Sequence, residues 1–230
     1  MKKNILLIGG SYGIGNALAS RLQNSFNVFV ASRSNEGLTE LNVTHIQFDA
    51  SSDNIDLTTL PEELHGFVYC PGSINLKPFK MMIVDSMVSD MQLNFFNLVK
   101  VTKDVMPKMA AGSSMVFFST VAVSTGMPFQ TSVAAAKGAI EGFAKSMAAE
   151  YAPKIRFNVV APSLVDTPLA SRLLSNDRKR EIMAERHPLK RVGKAEDIAA
   201  AASFLLSEES SWMTGQILGV DGGLSTLNVN

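Results

Sequence analysis

The sequence of 230 residues has a single cysteine, Cys70, and no excess of charge of either sign. One cysteine excludes an internal disulfide and is typical of a protein in a reducing compartment. Lysine and arginine together number 21, as do aspartate and glutamate, so the formal net charge is zero. Such a chain has no electrostatic basis for binding nucleic acid, an anionic membrane or a polyanionic partner.

Long apolar segments are also lacking, so we expect no membrane span. The first ten residues, MKKNILLIGG, carry two lysines and an apolar run, as a signal peptide does. That run ends after four residues at Gly9, far short of the apolar region of a signal, and we interpret it as a strand. The expectation is a cytoplasmic protein that binds a small-molecule substrate, without a metal ion.

Short apolar runs alternate with helical patterns along the whole chain. Runs of this kind, without a polar alternation, are typical of strands buried on both faces. The alternation predicts a single α/β domain over residues 1–230, a Rossmann fold with a doubly wound, seven-stranded parallel sheet. The predicted strands are Asn4–Ile8, Val28–Ala31, His45–Phe48, Phe67–Cys70, Met115–Ser119, Ile155–Val160 and Ile217–Val220. The predicted helices are Gly13–Gln23, Ser86–Met109, Ser132–Tyr151 and Ala195–Leu206.

One further segment, Thr167–Arg186, has a helical pattern but lies outside this alternation and is strongly charged toward its end. We predict that it forms a substrate lid, around residues 167–190.

Three glycines, Gly9, Gly13 and Gly15, follow the first predicted strand and open the first predicted helix. Glycine permits a tight turn and a close approach to a pyrophosphate, which the backbone amides and the helix dipole then bind. The spacing G-x3-G-x-G differs from the commoner G-x-G-x-x-G fingerprint, and alone it also fits a glycine turn without function. Its place between a strand and an amphipathic helix favours a dinucleotide-binding turn.

At the end of the second predicted strand, where NAD-binding folds carry an acid for the ribose hydroxyls, this chain has Arg33 between two serines. A guanidinium group binds a 2′-phosphate through two hydrogen bonds, so we expect NADP(H) rather than NAD(H). The alternative is a solvated surface arginine. Asp49, at the end of the third strand, is expected to reach the adenine edge, although acids are common in turns.

With Asn94, Lys137 and the tail TGQ…VDGG at residues 214–223, the glycine turn makes this sequence resemble the short-chain dehydrogenase/reductase family over nearly its whole length. Further matching stretches are FDA at 48–50, NVVAP at 158–162, DTP at 166–168 and PLKRVG at 188–193. The resemblance implies a domain that binds a nicotinamide dinucleotide. It also implies a homodimer or homotetramer packed through the long helices 86–109 and 132–151.

The resemblance assigns roles to individual residues. Asn94, Thr120 and Lys137 match catalytic positions, and Lys137 also matches the lysine that binds the nicotinamide ribose; an ordinary exposed lysine is the alternative. Two departures are Tyr69-Cys70 in place of two structural asparagines and Ser163 in place of a glycine. The expected cofactor contacts are Gly9, Ser11, Gly13, Ile14, Gly15, Ser32, Arg33, Asp49, Ala50, Gly72, Asn94, Lys137, Pro162, Ser163, Val165 and Thr167.

The largest departure lies four residues before Lys137, where the family has its catalytic tyrosine and this chain has Val133. Thirteen residues earlier, Thr120 keeps the hydroxyl of the family's serine. In carbonyl reduction the phenol donates the proton, and a valine has no exchangeable proton. Placed acid–base groups contribute about 10² to 10⁴ in rate.

The other titratable groups give no obvious substitute. Of the three tyrosines, Tyr12 lies in the glycine turn, Tyr69 ends a strand and Tyr151 ends a helix. His187, after the predicted lid, has a suitable ordinary pKa for proton donation. The alternative is a structural or solvated histidine.

Three functions remain open from the sequence. The first is a redox enzyme with altered proton delivery, acting on a small, partly apolar carbonyl or imine compound. The second is a non-redox enzyme that uses Thr120, Lys137 or His187 for elimination or decarboxylation, and the third is a catalytically silent NADP(H)-binding protein. We favour the first, and we expect residues 125–131 and 167–187 to line the pocket, with Met127, Phe129 and Leu169 as apolar contacts.

Overall fold

The computed structural model describes residues 2–228, so the first residue and the last two of the predicted domain lie outside the described residues. Seven parallel strands form one sheet, in the order β3-β2-β1-β4-β5-β6-β9. Their bounds are β1 Asn4–Ile8, β2 Asn27–Ser32, β3 Thr44–Gln47, β4 Leu64–Tyr69, β5 Met109–Phe118, β6 Ile155–Pro162 and β9 Ile217–Val220. A separate small sheet consists of two parallel strands of two residues each, β7 Val165–Asp166 and β8 Gly193–Lys194. The order reverses at β1, which defines the predicted doubly wound sheet.

Helices cover both faces of the sheet and give two separate cores. One core packs α1 and α7 against the sheet through Leu18, Leu22 and Leu205, and the other packs α3 and α5 through Leu98 and Ile140. Burial of this apolar area is the main stabilising contribution. The helices are α1 Gly13–Leu22, α2 Val84–Met91, α3 Asn97–Val105, α4 Ala122–Thr125, α5 Thr131–Tyr151, α6 Asp177–Glu185 and α7 Ala195–Leu206.

The prediction of one helix over Ser86–Met109 is wrong in two respects. A π-helical segment, Gln92–Phe96, separates α2 from α3, and it carries Asn94. The helix then ends at Val105, because Pro107 has no amide hydrogen to continue the ladder. Met109 is the first residue of β5, where it pairs with Leu64 of β4.

The segment Thr167–Arg186 is helical mainly in its second half. Pro168–Ala170 forms a single 3₁₀ turn, and α6 begins only after Asn176, whose side chain accepts a hydrogen bond from the amide of Lys179 at 2.9 Å. An asparagine cap of this kind fixes the start of a helix. The segment lies at the carboxyl edge of the sheet, where Thr167, Met183 and Arg186 line the main cavity.

Candidate active site

One cavity of about 740 Å³ lies at the carboxyl ends of the parallel strands, where α/β folds bind their ligands. Almost all residues that the sequence singles out line it. The lining includes Gly9, Ser11, Gly13, Ile14, Gly15, Ser32, Arg33, Asp49, Ala50, Gly72, Thr120, Val133, Lys137, Pro162, Ser163, Val165, Thr167 and His187. Asn94 lies outside the lining, since it is fully buried behind the wall.

The glycine turn has the geometry of an anion-binding turn. Gly9 and Gly13 have φ angles of 76° and 61°, which glycine adopts without strain. A Cβ atom on Gly15 would lie 2.0 Å from the carbonyl oxygen of Gly9, so no larger residue fits there. The N-cap residue of α1, Tyr12, makes no capping hydrogen bond through its side chain within the described chain. The first amides of α1 are therefore directed at the cavity as ready donors for a phosphate.

The serines near this turn hold two strand ends together. Ser11 Oγ lies 2.9 Å from Ser32 Oγ, and both hydroxyls also contact the carbonyl oxygen of Ser34. Each serine is only 6% exposed. Their hydroxyl groups thus fix the ends of β1 and β2 beside each other, and this arrangement presents the neighbouring side chains to the cavity.

Arg33 is exposed at the mouth of the cavity, as its predicted role requires. Its Nη2 lies 3.3 Å from the hydroxyl of Tyr12, which is 55% exposed and also lines the cavity. From the sequence, Tyr12 is only a residue of the glycine turn without a predicted role. Its phenol stands beside the guanidinium group, and the two side chains form one polar edge.

Lys137 lies at the other end of the cavity. Three strand spacings separate the end of β2 from the end of β5, roughly 14 Å. Nζ of Lys137 donates a hydrogen bond to the carbonyl oxygen of Phe118 at 3.0 Å. Burial lowers the pKa of the Lys137 amine to about 8, because the charged form is desolvated. The alternative of an ordinary exposed lysine is therefore wrong.

Asn94 is fixed by hydrogen bonds on both ends of its amide. Nδ2 donates to Ser73 Oγ and to the carbonyl oxygen of Asp90, each at 2.8 Å, and Oδ1 accepts from the Ser73 amide at 3.3 Å. Gly72 separates Asn94 from Lys137, because an added Cβ there would lie 3.1 Å from Asn94 Oδ1 and 3.3 Å from Lys137 Nζ. The π-helical segment brings Asn94 to this position, as such segments often do at functional sites.

Asp90 forms a buried polar cluster that the sequence analysis missed. Its carboxylate accepts hydrogen bonds from Ser73 Oγ and Asn75 Nδ2, each at 2.6 Å, and from Ser132 Oγ at 2.5 Å. The residue is 1% exposed. The cluster joins α2, the loop after β4 and the first turn of α5. The sequence signal for this cluster was the position of Asp90, an acidic residue one helical turn before Asn94.

Val133, at the position where the resemblance places the family's tyrosine, lies in the cavity wall. The side chain is 5% exposed and lines the cavity one helical turn before Lys137. Tyr69 donates its hydroxyl hydrogen to the carbonyl oxygen of Leu93 at 3.1 Å, so this residue braces the π-helical segment in place of the family's asparagine. Burial raises the pKa of its phenol. Tyr151 packs on Phe157 with ring centres 5.9 Å apart.

Thr120 lines the same cavity, and its Oγ1 accepts a hydrogen bond from the amide of Ala122 at 3.3 Å. Met127 and Leu169 line the cavity as predicted. The expectation for Phe129 is wrong: this residue is 52% exposed and lies outside the cavity lining. Its φ of 69° belongs to a tight turn that places the ring at the surface.

His187 is buried, with 3% of its surface exposed, and is hydrogen-bonded at both ring nitrogens. Nε2 lies 2.8 Å from Ser163 Oγ, and Nδ1 lies 2.8 Å from the carbonyl oxygen of Met183. Sequence reasoning singled out both residues but did not pair them, since 24 residues separate them along the chain.

Two properties of the described chain bear on the kind of site. Across residues 2–228, His, Cys, Asp and Glu side chains form no group of three that could hold a metal ion. The helices of the described chain include none with the length and apolarity needed to cross a membrane.

The fold and the cavity define a nucleotide-binding α/β domain of the Rossmann type. A family model described as enoyl-(acyl carrier protein) reductase matches residues 10–225. The human dehydrogenase/reductase SDR family member 4 is 32% identical over 243 aligned residues, covering 96% of this chain and 87% of the relative. The chain belongs to the short-chain dehydrogenase/reductase family, a family of oxidoreductases that bind nicotinamide dinucleotides.

Two other comparisons place the chain within this family. The 3-oxoacyl-[acyl-carrier-protein] reductase of Thermotoga maritima is 41% identical over 135 residues, which is 57% of this chain and 54% of the relative. The chain thus matches only about half the length of that relative. The ligand-free aldohexose dehydrogenase of Thermoplasma acidophilum superimposes with a TM-score of 0.89 at 28% identity, covering all of this chain and 97% of the other.

Proposed function

We propose that this protein is an NADP(H)-dependent oxidoreductase acting on a small, partly apolar carbonyl or imine compound, with a proton donor other than tyrosine. The observation that carries the proposal is the composition of one cavity. This cavity contains the glycine turn, Arg33, Thr120 and Lys137, and it has Val133 at the position where the family has the phenol of a tyrosine. A chain that kept only its fold would have no physical need for a buried lysine at this point.

The residues present fit a dinucleotide phosphate. The amides at the start of α1 would bind the pyrophosphate, and Arg33 with Tyr12 would bind the 2′-phosphate. Asp49 would contact the adenine. Lys137 would bind the nicotinamide ribose, and Thr167 would contact the carboxamide. Once bound, the reduced nicotinamide would supply a hydride to the substrate.

Lys137 and Thr120 then act on the substrate end of the site. The Lys137 amine is held by Phe118 and lies across Gly72 from Asn94, so Asn94 positions the loop that separates them. Thr120 offers a hydroxyl to the substrate oxygen. The side chains of Ile74, Leu76, Met127 and Leu169 line the same cavity and favour a partly apolar compound.

The missing phenol restricts the substrates that react well. A ketone or aldehyde becomes an alkoxide on reduction and needs a proton at its oxygen, whereas an iminium ion becomes neutral without one. We therefore expect imines to react without help at this position, and carbonyl compounds to depend on a substitute donor.

The test has two parts. Fluorescence titration with NADPH and NADH should give saturable binding, tighter for NADPH; a protein that binds neither contradicts the proposal. Val133→Tyr should then reduce ethyl acetoacetate, a small and partly apolar ketone, up to about 100-fold faster than Val133→Phe, the matched control of equal bulk. If binding is retained and Val133→Tyr gives no more activity than Val133→Phe, the account of this gap fails.

We also propose that the chain self-associates through the long helices at residues 84–105 and 131–151. Apolar side chains of this face are exposed, including Val84, Val88 and Phe96. Light scattering during gel filtration should give the mass of a dimer or tetramer. Val88→Glu should reduce that mass, and a monomeric wild type would exclude this assembly.

A further inference from the structure

Ser163 and Thr120 lie on neighbouring strand ends at the substrate end of the cavity. The amide of Val121 donates to the carbonyl oxygen of Pro162 at 3.1 Å, which joins the segment carrying Thr120 to the end of β6. Both hydroxyl side chains line the cavity. The serine therefore adds a hydroxyl group to the cavity wall on the strand next to the one that carries Thr120.

The hydrogen bonds of His187 fix its tautomer. A carbonyl oxygen only accepts, so Nδ1, at 2.8 Å from the Met183 oxygen, carries a hydrogen in both charge states. In the neutral ring Nε2 is consequently an acceptor, and Ser163 donates its hydroxyl hydrogen to it at 2.8 Å. In the charged ring Nε2 donates to Ser163 Oγ, and the hydroxyl hydrogen of Ser163 is free to point into the cavity.

The ring is also held by packing. Leu189 donates its amide hydrogen to the carbonyl oxygen of Gly222 at 3.1 Å, and a Cβ on Gly222 would lie 3.6–3.7 Å from His187 side-chain atoms. A base fixed by a third group and facing a hydroxyl is the general arrangement for activating or protonating that hydroxyl. Here the base is His187, the third group is the Met183 carbonyl and the hydroxyl belongs to Ser163.

We propose that Ser163 and His187 form a proton relay for the substrate oxygen, in place of the phenol that Val133 lacks. The inference rests on the carbonyl reduction proposed above. After reduction of the carbonyl carbon, the negative oxygen takes the hydroxyl proton of Ser163. Ser163 Oγ takes the Nε2 proton of the His187 imidazolium as its own O–H bond breaks. Neutral His187 regains a proton from water after product release.

Several charged groups lie around the ring. Asp221 lies on the turn against which His187 packs, and its carboxylate accepts from the amides of Gly223 and Ser225. Arg186 and Lys137 line the same cavity. On its own segment, Lys190 forms an exposed ion pair with Glu185. Because only the imidazolium supplies a proton, carbonyl reduction should fall as pH rises.

The first experiment compares two probes with NADPH as reductant: ethyl acetoacetate, which needs a proton on oxygen, and 2-methyl-1-pyrroline, which reacts as an iminium ion. His187→Gln and Ser163→Ala should each lower kcat with ethyl acetoacetate by about 100-fold. The loss with the pyrroline should be smaller, so that the ratio of carbonyl to imine activity falls at least about tenfold, and Ser163→Thr should restore most of this ratio. The wild-type pH profile should lose its alkaline limb in His187→Gln.

The outcomes separate this inference from the function on which it rests. A wild type that binds no nucleotide, or binds NADPH but reduces neither probe, overturns the proposed function and the relay with it. An active wild type whose carbonyl reduction is unchanged in Ser163→Ala overturns the relay alone. Equal losses with both probes also overturn it, because such losses indicate a structural role.

The second experiment needs no substrate or cofactor. Long-range ¹H–¹⁵N spectra of the protein, with His187 assigned by comparison with His45→Gln and His65→Gln, should show the neutral ring protonated at Nδ1. Ser163→Ala should shift the Nε2 resonance, and Ser163→Thr should restore it. A neutral ring protonated at Nε2, or an Nε2 resonance that ignores Ser163, would exclude the relay.

Discussion

The two ends of the cavity are built in different ways. At the nucleotide end, the groups expected to bind phosphate are backbone amides shaped by Gly9, Gly13 and Gly15. At the substrate end, the groups are single side chains: Thr120 and Lys137, with Val133 between them in the cavity wall. One end thus depends on backbone shape and the other on the identity of a few atoms.

This difference explains which end of a family member can change. A backbone turn tolerates few substitutions because steric contacts prevent them, so the nucleotide end keeps its pattern. A catalytic phenol packs no core and can be lost without unfolding the chain. The substrate end can therefore diverge while the fold, the cavity and the nucleotide turn persist.

The largest effect should come from the nucleotide end. Gly15→Val would place a Cβ atom 2.0 Å from the Gly9 oxygen and 2.9 Å from the Gly10 Cα, so the turn must open. We expect loss of NADPH binding, by more than about 100-fold, or failure to fold. Gly142→Ala is the control, because nothing lies within 4 Å of the added atom on α5; it should stabilise the protein by up to about 1 kcal/mol. If Gly15→Val still binds NADPH, the nucleotide end does not depend on the backbone shape of this turn.

The next effect should come from a side chain at the substrate end. Asp90→Ala removes the acceptor for Ser73, Asn75 and Ser132, and leaves the buried hydroxyl of Ser132 without this acceptor. We expect a loss of about 3 kcal/mol in the free energy of unfolding, measured by urea denaturation. Asp104→Ala, at a half-buried aspartate of α3, should change stability by less than about 0.5 kcal/mol. If the two variants lose the same free energy of unfolding, the cluster has no structural role.

The same contrast shows what could be predicted from sequence. The seven strands and the glycine turn were predictable, because apolar runs and glycine spacing are local signals. Asn94 was identified by motif, yet its π-helical setting was not, since no local pattern distinguishes a π turn from the continuous helix. The helix end at Val105 could have been read from Pro107.

Contacts between distant parts of the chain were not predictable. Asp90 and Ser132 are 42 residues apart, and Ser163 and His187 are 24 residues apart. The bracing hydrogen bond from Tyr69 to Leu93 likewise depends on the distance between β4 and the helix. Tertiary packing alone brings such side chains together, so the substrate end needed a structure while the nucleotide end did not.

Substitution of Lys137 tests whether a residue of the substrate end lowers the free energy of unfolding. Its pKa is about 8 in the folded protein and about 10.5 in the unfolded chain, so burial of the charged amine opposes folding below pH 8. Lys137→Met should raise the free energy of unfolding at pH 7 by up to about 3 kcal/mol, less the lost hydrogen bond to Phe118. This gain should shrink as pH rises from 8 to 10.5, because the wild-type amine then loses its proton in the folded state.

The measurement is thermal or urea unfolding of both proteins at pH 7 and at pH 10. Lys145→Met is a suitable control, since that lysine of α5 is exposed. A pH-independent gain would mean that packing, and not desolvation of the amine, causes the effect.

The smallest effect should come from Arg33, an exposed side chain that we expect to contact the 2′-phosphate at the nucleotide end. Removing a charge-assisted hydrogen bond costs about 2 kcal/mol, so Arg33→Ala should weaken NADPH binding about 30-fold in a fluorescence titration. NADH has no 2′-phosphate, and its affinity should change less than about threefold. Arg21→Ala, at an exposed residue near the end of α1, should leave both affinities unchanged.

The loss of NADPH affinity in Arg33→Ala should also become smaller in high salt, because Arg33 and Tyr12 are exposed and their attraction for phosphate is screened. Equal losses for NADPH and NADH would show that Arg33 supports the turn rather than the phosphate. The nucleotide end would then depend on backbone shape alone.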